Sequence, residues 1–180
     1  MAWLEKHWQD TTLVGLLLYP LSVLYRCAVA LRRALYRAGV LRAVRLPVPV
    51  VVVGNITTGG TGKTPVVLWL ADFLRQRGRR PGIVSRGYGG RITAPAAVTA
   101  DGDPAAFGDE PVLLARRGGV PVWIGADRAA AATALLAAHP ECDVIISDDG
   151  LQHYRLARKV EIAVVDGARG LGNGHFLPSG

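Results

Sequence analysis

The 180-residue sequence contains only two cysteines, Cys27 and Cys142, which lie far apart and lack metal-type spacing. This scarcity argues against a disulfide-rich secreted domain or a cysteine zinc site, and it fits a reducing compartment. The sequence also lacks an uninterrupted apolar run of about 20 residues, the length that a spanning helix needs. Its longest candidate, 13–25, contains Pro20 and is followed by Arg26. We therefore expect no transmembrane helix.

Acidic residues are missing between Arg26 and Arg45, although this stretch carries six arginines. The formal net charge of +7 is therefore concentrated near the start, unlike the footprint of a nucleic-acid-binding protein, and we expect no nucleic-acid partner. Arg26, Arg33 and Arg37 recur at helical spacing, and an apolar set follows another face (Leu24, Ala28, Leu31, Leu35). Such a basic amphipathic helix is typical of a membrane-surface segment. The alternative is a helical layer packed on the domain, with solvated arginines.

A secretory signal peptide is not expected, because Glu5 and Asp10 lie near the start and no clear cleavage site follows. We interpret residues 1–46 as an apolar and basic helical segment that associates with a membrane. Residues 47–180 are interpreted as one nucleotide-binding domain.

From Pro47 onward, short apolar runs alternate with helical patterns, which predicts βαβ units and a mainly parallel sheet flanked by helices. The predicted strands are Val48–Val53, Gly82–Ser85, Val120–Ile124, Asp143–Ser147 and Val160–Val165. The predicted helices are Pro65–Arg77, Pro111–Arg116 and Asp127–Ala138. The stretch 93–106 is interpreted as a loop. The fold class is α/β, similar to that of phosphate-loop nucleoside triphosphatases.

A glycine-rich loop follows the first predicted strand and precedes the first predicted helix of this domain. Its residues are Thr57, Gly59, Gly60, Thr61, Gly62, Lys63 and Thr64. Backbone N–H groups of such a loop and the following helix N-terminus bind phosphate, the lysine reaches the β/γ-phosphates, and the threonine hydroxyl binds Mg²⁺. Thr57 stands where the usual spacing has glycine. The strand–loop–helix context still predicts a nucleotide phosphate site.

Two acidic pairs are candidates for chemistry. Asp148 and Asp149 end an apolar strand, and paired carboxylates at such a place are unfavourable without a cation, so we predict that they hold Mg²⁺. A plain Asp-Asp-Gly turn is the alternative. Asp109 and Glu110 precede another apolar run; they are either helix-capping acids or a general base with a carboxylate near the metal. The residues alone leave both interpretations of the second pair open.

Four further residues are weaker candidates for contact with a substrate. Arg86 and Tyr88 lie in a glycine-rich loop after a predicted strand, and a flexible hairpin would explain that loop equally well. Asn173 lies in a glycine-rich stretch near the end of the sequence. His153 taken alone is more simply a structural histidine.

Two other classes of nucleotide-binding protein compete with a kinase. A guanine-nucleotide switch usually carries an Asn-Lys-x-Asp element, and this sequence has none. A partitioning or chaperone ATPase uses a similar glycine-rich loop and stays open. A kinase acting at a membrane needs an acceptor base and a membrane-facing surface, for which Asp109 and the N-terminal segment are candidates.

Taken in order, the short motifs resemble the tetraacyldisaccharide 4'-kinase family, the lipid A kinases. The matching stretches cover nearly the whole chain: 53–57 running into 59–65, then 85–89, 108–111, 148–153 and 172–174. That family also accepts threonine in place of the first loop glycine. The resemblance implies ATP- and Mg²⁺-dependent phosphorylation of the 4'-hydroxyl of a tetraacylated glucosamine disaccharide 1-phosphate, at the cytoplasmic face of the bacterial inner membrane.

The resemblance also implies roles for individual residues. Asp109 would be the acceptor base, Glu110 would lie near the metal, and Asp148 and Asp149 would surround Mg²⁺ and the acceptor. His153 would become a site residue, and the N-terminal segment would contact the membrane that holds the lipid acceptor. The family continues beyond the equivalent of Gly180, through a segment with a histidine that pairs with the base. We therefore expect this 180-residue chain to be weakly active or inactive in phosphate transfer while still binding nucleotide.

Overall fold

The computed structural model describes residues 13–56, 62–168 and 170. The chain divides into two compact units. One unit comprises Ala43–Asn55 and Gly62–Val164, and the other contains the N-terminal helix. The division of the sequence at residue 46 remains a prediction.

The larger unit is built on a mainly parallel sheet, as the sequence predicted. Within the described residues its strands are β1 (Val50–Asn55), β2 (Pro81–Ser85), β3 (Ala96–Val98), β4 (Val122–Ile124), β5 (Val144–Asp148) and β6 (Val160–Val164). Their spatial order is β3-β4-β2-β5-β1-β6, and β3 alone among these runs antiparallel to its neighbour. The central strands are therefore β2, β5 and β1.

Helices cover both faces of this sheet. They are α2 (Lys63–Gln76), α3 (Pro104–Phe107), α4 (Asp109–Gly118) and α5 (Arg128–Ala138). Ile146 packs with side chains of α2 and α4, whereas the preceding residue, Ile145, packs with α5. Because successive strand residues point to opposite faces, β5 is buried on both sides. This explains why the strand is a continuous apolar run rather than an alternating one.

The stretch 93–106 is more ordered than the sequence suggested. It contains β3 and most of α3, so its interpretation as a loop was wrong. Asp103 caps α3 by accepting a hydrogen bond from the Ala105 N–H at 2.9 Å. These elements are too short for periodicity to reveal them, since β3 has three residues and α3 has four.

The N-terminal unit contains one described helix, α1 (Leu13–Arg37), and Pro20 lies inside it. Pro20 interrupts the apolar run of the sequence but not the helix, because proline removes one helical hydrogen bond and can kink a helix without ending it. No described helix has the length and apolar character needed to cross a bilayer.

Candidate active site

The strand order brings three chain segments together at one edge of the sheet. β5 lies between β2 and β1, and its register pairs Val53 of β1 with Asp148 and Val84 of β2 with Ser147. All three strands are parallel, so they end at the same edge, where ligands bind in open α/β sheets. The edge therefore carries Ser85, Asp148 and Asn55.

Lys63 is held at this edge by two oxygen atoms. Helix α2 begins at Lys63, directly after Gly62 in the left-handed conformation with φ 78°. Lys63 Nζ donates to Asn55 Oδ1 at 2.8 Å and to Asp149 Oδ1 at 2.9 Å. A cation at a helix N-terminus is opposed by the helix dipole, so nearby anionic groups are needed to stabilise it. Asp149 is one such group.

Four residues of the predicted phosphate loop lie outside the described residues, namely Thr57, Gly59, Gly60 and Thr61. Their contacts with phosphate remain a prediction. Gly62, Lys63 and Thr64 are described and stand at the start of α2. The first N–H groups of a helix have no partner within the helix, and no described side chain caps this one. This N-terminus is therefore suited to an anion.

Asp148 is the most deeply buried acid of the site, with 1% of its surface exposed. Ser85 Oγ donates to Asp148 Oδ2 at 3.2 Å, whereas Asp148 Oδ1 has no hydrogen-bond partner in the described part of the chain. Burial raises the pKa of Asp148 to about 6, and the charges of Glu110 and Asp149 act in the same direction. Lys63 and Ser85 oppose the shift only in part.

Asp149 differs from its neighbour in both exposure and backbone conformation. Its side chain is half-exposed and pairs with Lys63. Asp149 has a φ of 52°, the only positive value of a non-glycine residue within the described chain. Such a conformation is uncommon and is often found at functional sites, where the surrounding structure maintains it. Here the Asp149 carbonyl accepts a hydrogen bond from Arg128 Nη2 at 3.2 Å.

Arg128 is a site residue that the sequence did not reveal. It is 5% exposed, and its Nη1 also donates to the Ala126 carbonyl at 3.2 Å. Its Nε has no hydrogen-bond partner among the described residues. Burial and then the charge of Arg86 lower the pKa of Arg128. Two guanidinium groups near each other, one with a spare N–H, favour binding of an anion between them.

The acidic residues here fit a magnesium ion in part. Mg²⁺ prefers oxygen ligands and usually keeps several waters, with one or two carboxylates and substrate phosphates completing its shell. The unpaired, buried Oδ1 of Asp148 is such a ligand, and the Thr64 hydroxyl stands at the start of α2. No group of three or more potential metal-binding histidine, cysteine or acidic side chains occurs in the described ranges. The protein would therefore supply only part of the shell.

The second acidic pair begins helix α4. Gly108, rather than Asp109, is the N-cap residue, and no side chain caps the helix within the described structure. Asp109 and Glu110 are exposed residues of the first turn, where their charge complements the helix dipole. Because the Glu110 charge raises the pKa of Asp148, Glu110 belongs to the same edge of the sheet.

The loop that carries Arg86 and Tyr88 packs against the start of α4. Gly108 has a φ of 93°, and a Cβ there would collide with the Tyr88 carbonyl oxygen, so the close approach requires glycine. The Arg91 N–H also donates to the Ala106 carbonyl at 3.0 Å. Arg86 and Tyr88 are both exposed, Tyr88 by 81%. The structure thus brings this loop beside Asp109.

His153 lies near the start of α5, beside Asp127. His153 Nε2 is 3.6 Å from Asp127 Oδ1, and Arg155 Nη1 is 2.8 Å from Asp127 Oδ2. Asp127 is also the N-cap of α5, accepting hydrogen bonds from the Ala129 and Ala130 N–H groups. Burial and then the charge of Arg128 lower the pKa of His153, so its imidazole is neutral at pH 7. Asn173 lies outside the described residues, and its role remains a prediction.

Sequence reasoning missed Asn55, Ser85, Asp127 and Arg128 as site residues. Their positions relative to the strands could have identified them. Asn55 and Ser85 end strands, and Asp127 and Arg128 follow a strand and open a helix. Polar residues at such places face the ligand-binding edge of a parallel sheet.

Comparison with known proteins shows the family to which the chain belongs. A family model described as "Tetraacyldisaccharide-1-P 4'-kinase" matches residues 14–180. The chain belongs to this family. A tetraacyldisaccharide 4'-kinase from Azoarcus sp. (strain BH72) is 62% identical over 175 residues, covering 97% of this chain and 51% of that protein. Another, from Alkalilimnicola ehrlichii, is 64% identical over 164 residues, covering 91% of this chain and 49% of the relative.

A solved structure agrees in fold. It is described as the "apo" form of LpxK from Aquifex aeolicus in complex with ATP, and it superposes with a TM-score of 0.76 at 36% identity. The match covers 84% of this chain and 49% of that one. The predicted phosphate-loop kinase fold is thereby confirmed. The chain spans about half the length of these tetraacyldisaccharide 4'-kinases.

Proposed function

We propose that this chain forms the nucleotide-binding part of a tetraacyldisaccharide 4'-kinase. The reaction would transfer the γ-phosphoryl group of ATP to the 4'-hydroxyl of a tetraacylated glucosamine disaccharide 1-phosphate. One observation carries the proposal: in a chain of this family, Lys63 is held between Asn55 and Asp149, and its charge acts on buried Asp148. One oxygen of Asp148 has no hydrogen-bond partner among the described residues. A lysine and a magnesium-binding acid placed together are the parts that phosphoryl transfer needs.

On the donor side, Lys63 would pair with the β/γ-phosphates, and the loop of Thr57, Gly59, Gly60, Thr61, Gly62 and Thr64 would surround them. Thr64, Asp148, Asp149 and Glu110 are the residues that would hold Mg²⁺. Bound Mg²⁺ would neutralise charge on the phosphate oxygens as it develops. Arg128 Nε, which has no hydrogen-bond partner among the described residues, supports a further contact with a phosphate group.

On the acceptor side, Asp109 would take the proton from the 4'-hydroxyl. Its exposed position in the first turn of α4, next to Glu110, supports this role, because a general base must reach a substrate hydroxyl directly. Arg86, Tyr88, His153 and Asn173 would contact the acceptor. The neutral imidazole of His153 is suited to a hydrogen bond with a sugar hydroxyl.

The lipid acceptor requires access to a membrane, and α1 carries a surface suited to that. Leu17, Leu21, Leu24 and Leu31 follow one helical stripe, and each exposes more than half of its surface. Arg33 and Arg37 fall on the opposite side of the helix and are exposed. An apolar stripe with basic residues is typical of a helix lying in an anionic interface. We propose that α1 binds the cytoplasmic face of the inner membrane.

The proposal is tested by two measurements. Titration calorimetry should show that the chain binds ATP more tightly with Mg²⁺ than with EDTA. Incubation with ATP labelled at the γ-phosphate should label the tetraacylated acceptor in a chain of the relatives' full length that contains these residues. Hydrolysis of ATP that is independent of the acceptor, with no labelled lipid, would favour an ATPase of the partitioning type and contradict the proposal.

A further inference from the structure

The segment from Asp149 to His153 is held by Arg158, which has no part in the phosphoryl transfer proposed for this chain. Arg158 Nη1 donates to the His153 carbonyl at 2.9 Å and to the Gly150 carbonyl at 3.4 Å. Its Nη2 donates to the Leu151 carbonyl at 2.9 Å. One guanidinium group therefore binds three carbonyl oxygens of a five-residue segment.

The contacts around Arg158 hold its side chain in place. Its side chain is only 10% exposed, and its Nε donates to Glu161 Oε1 at 2.6 Å. Its Cζ lies 5.1 Å from the centre of the Tyr154 ring. The planar guanidinium fork can serve several acceptors at once, which the single ammonium of lysine does less well.

The same segment packs directly on the strand that leads to the phosphate loop. A Cβ placed on Gly54 would lie 2.7 Å from Leu151 Cγ, so the Leu151 side chain rests against the backbone of β1. The next residue along β1 is Asn55, which binds Lys63. A displacement of the segment would therefore change the position of Asp149 relative to Lys63.

We propose that Arg158 is a positioning residue that fixes the 149–153 segment and thereby places the Asp149 carboxylate at Lys63. Arg128 binds the Asp149 carbonyl at one end of the segment, and Arg158 binds the carbonyls of Gly150, Leu151 and His153. Together they support the positive φ of Asp149, a conformation uncommon among non-glycine residues although aspartate adopts it more readily than most. The catalytic consequence rests on the function proposed above, whereas the positioning itself does not.

The experiment compares three variants of the full chain by calorimetry and by amide hydrogen exchange. Arg158→Gln removes the charge and the fork, Arg158→Lys keeps the charge, and Glu161→Gln removes the ion-pair partner but leaves all three carbonyl bonds. For Arg158→Gln we expect the gain in ATP affinity from Mg²⁺ to fall about tenfold, with the affinity in EDTA within about twofold of wild type. Arg158→Lys should recover part of the gain, and Glu161→Gln should retain nearly all of it.

Hydrogen exchange reports on the segment separately. The His153 and Leu156 amides, which donate to the Gly150 and His153 carbonyls, should exchange about tenfold faster in Arg158→Gln, while amides of β5 stay unchanged. An unchanged Mg²⁺-dependent gain, or an equal loss of affinity with and without Mg²⁺, would overturn the proposal. If Arg158→Gln does not fold, Arg158→Lys decides the question by the same criteria.

A wild-type chain that binds no ATP would contradict the proposed function, not the positioning. The exchange comparison then decides alone, because unchanged His153 and Leu156 amides in Arg158→Lys and Arg158→Gln would show that Arg158 does not hold the segment.

Discussion

Two acidic pairs lie at the same edge of the sheet, and only one of their four members, Asp148, is buried. Asp148 is buried at the end of β5, where loss of water raises its pKa to about 6. Asp109 and Glu110 are exposed in the first turn of α4. A buried carboxylate with a free oxygen is suited to a cation, whereas an exposed one is available to a substrate. Environment, rather than residue type, separates the proposed roles of Asp148 and Asp109.

The largest expected effect concerns the exposed pair. In a chain of the relatives' full length, Asp109→Asn should lower kcat by about 10²–10⁴-fold, because removal of the proposed general base removes proton transfer in the transition state. The KM for ATP should change little. Steady-state kinetics with the lipid acceptor measure both constants. Asp72→Asn, on the exposed surface of α2, is the matched control. A collapse of ATP binding in Asp109→Asn would instead assign Asp109 to the donor side.

The next effect concerns Lys63, which forms an ion pair with Asp149. Lys63→Ala should weaken ATP binding by about 10- to 100-fold, because a charge-assisted contact with phosphate is lost. Isothermal titration calorimetry on the chain measures this change. Lys159→Ala removes an exposed lysine elsewhere in the chain and should leave the affinity unchanged. Equal affinity of Lys63→Ala and wild type would refute the phosphate-loop assignment.

A third prediction uses the raised pKa of Asp148. The folded protein binds this proton more tightly than the unfolded chain, so the free energy of unfolding falls as pH rises from 3.8 to about 6. Asp148→Asn should remove that loss and raise the free energy of unfolding at pH 7.5 by up to about 3 kcal/mol. Urea unfolding of wild type and Asp148→Asn without Mg²⁺, at pH 4 and at pH 7.5, measures this difference in the free energy of unfolding.

The control for this prediction is Asp149→Asn. Asp149 is half-exposed, so its substitution should change the free energy of unfolding by less than about 1 kcal/mol. Mg²⁺-dependent ATP binding in the wild type should also weaken below pH 6, as protons compete for Asp148. A stability of Asp148→Asn that matches wild type at both pH values would show that the buried carboxylate is not unfavourable.

The smallest effect lies outside both pairs, on α1. Arg33→Gln combined with Arg37→Gln should weaken binding to vesicles that contain anionic phospholipid by about tenfold or more, since each arginine near such a surface contributes about 1 kcal/mol. Co-sedimentation measures the partition. Arg91→Gln combined with Arg117→Gln lowers the net charge equally on the other unit. If both double variants bind equally well, α1 is not the membrane contact.

The fold was predictable where local pattern and burial agree. The central strands are short apolar runs because both faces of the sheet are covered, and their positions followed from that pattern. β3 was missed because it is a three-residue strand after Pro95, with no period to detect. The bounds of α1 were not predicted, because proline disfavours a helix locally while the surrounding residues favour it.

The site was predictable only as separate segments. Lys63 was identifiable because it stands where a glycine-rich loop opens a helix, and Asp148 because it ends an apolar strand. Their proximity to Ser85 and Arg128 depends on β5 lying between β2 and β1, and this strand order is not encoded in any local pattern. The same holds for the contact between Asp127 and His153. Tertiary arrangement, not residue spacing, creates those contacts.

Asp127 joins two properties that protein engineers usually treat separately. One carboxylate caps α5 through two backbone N–H groups and also lies against His153 and Arg155. A substitution chosen to improve the cap would therefore alter the polarity around the imidazole, and one chosen to retune the imidazole would loosen the helix. Any adaptation of this family member to heat must change Asp127 together with its neighbours or leave it in place.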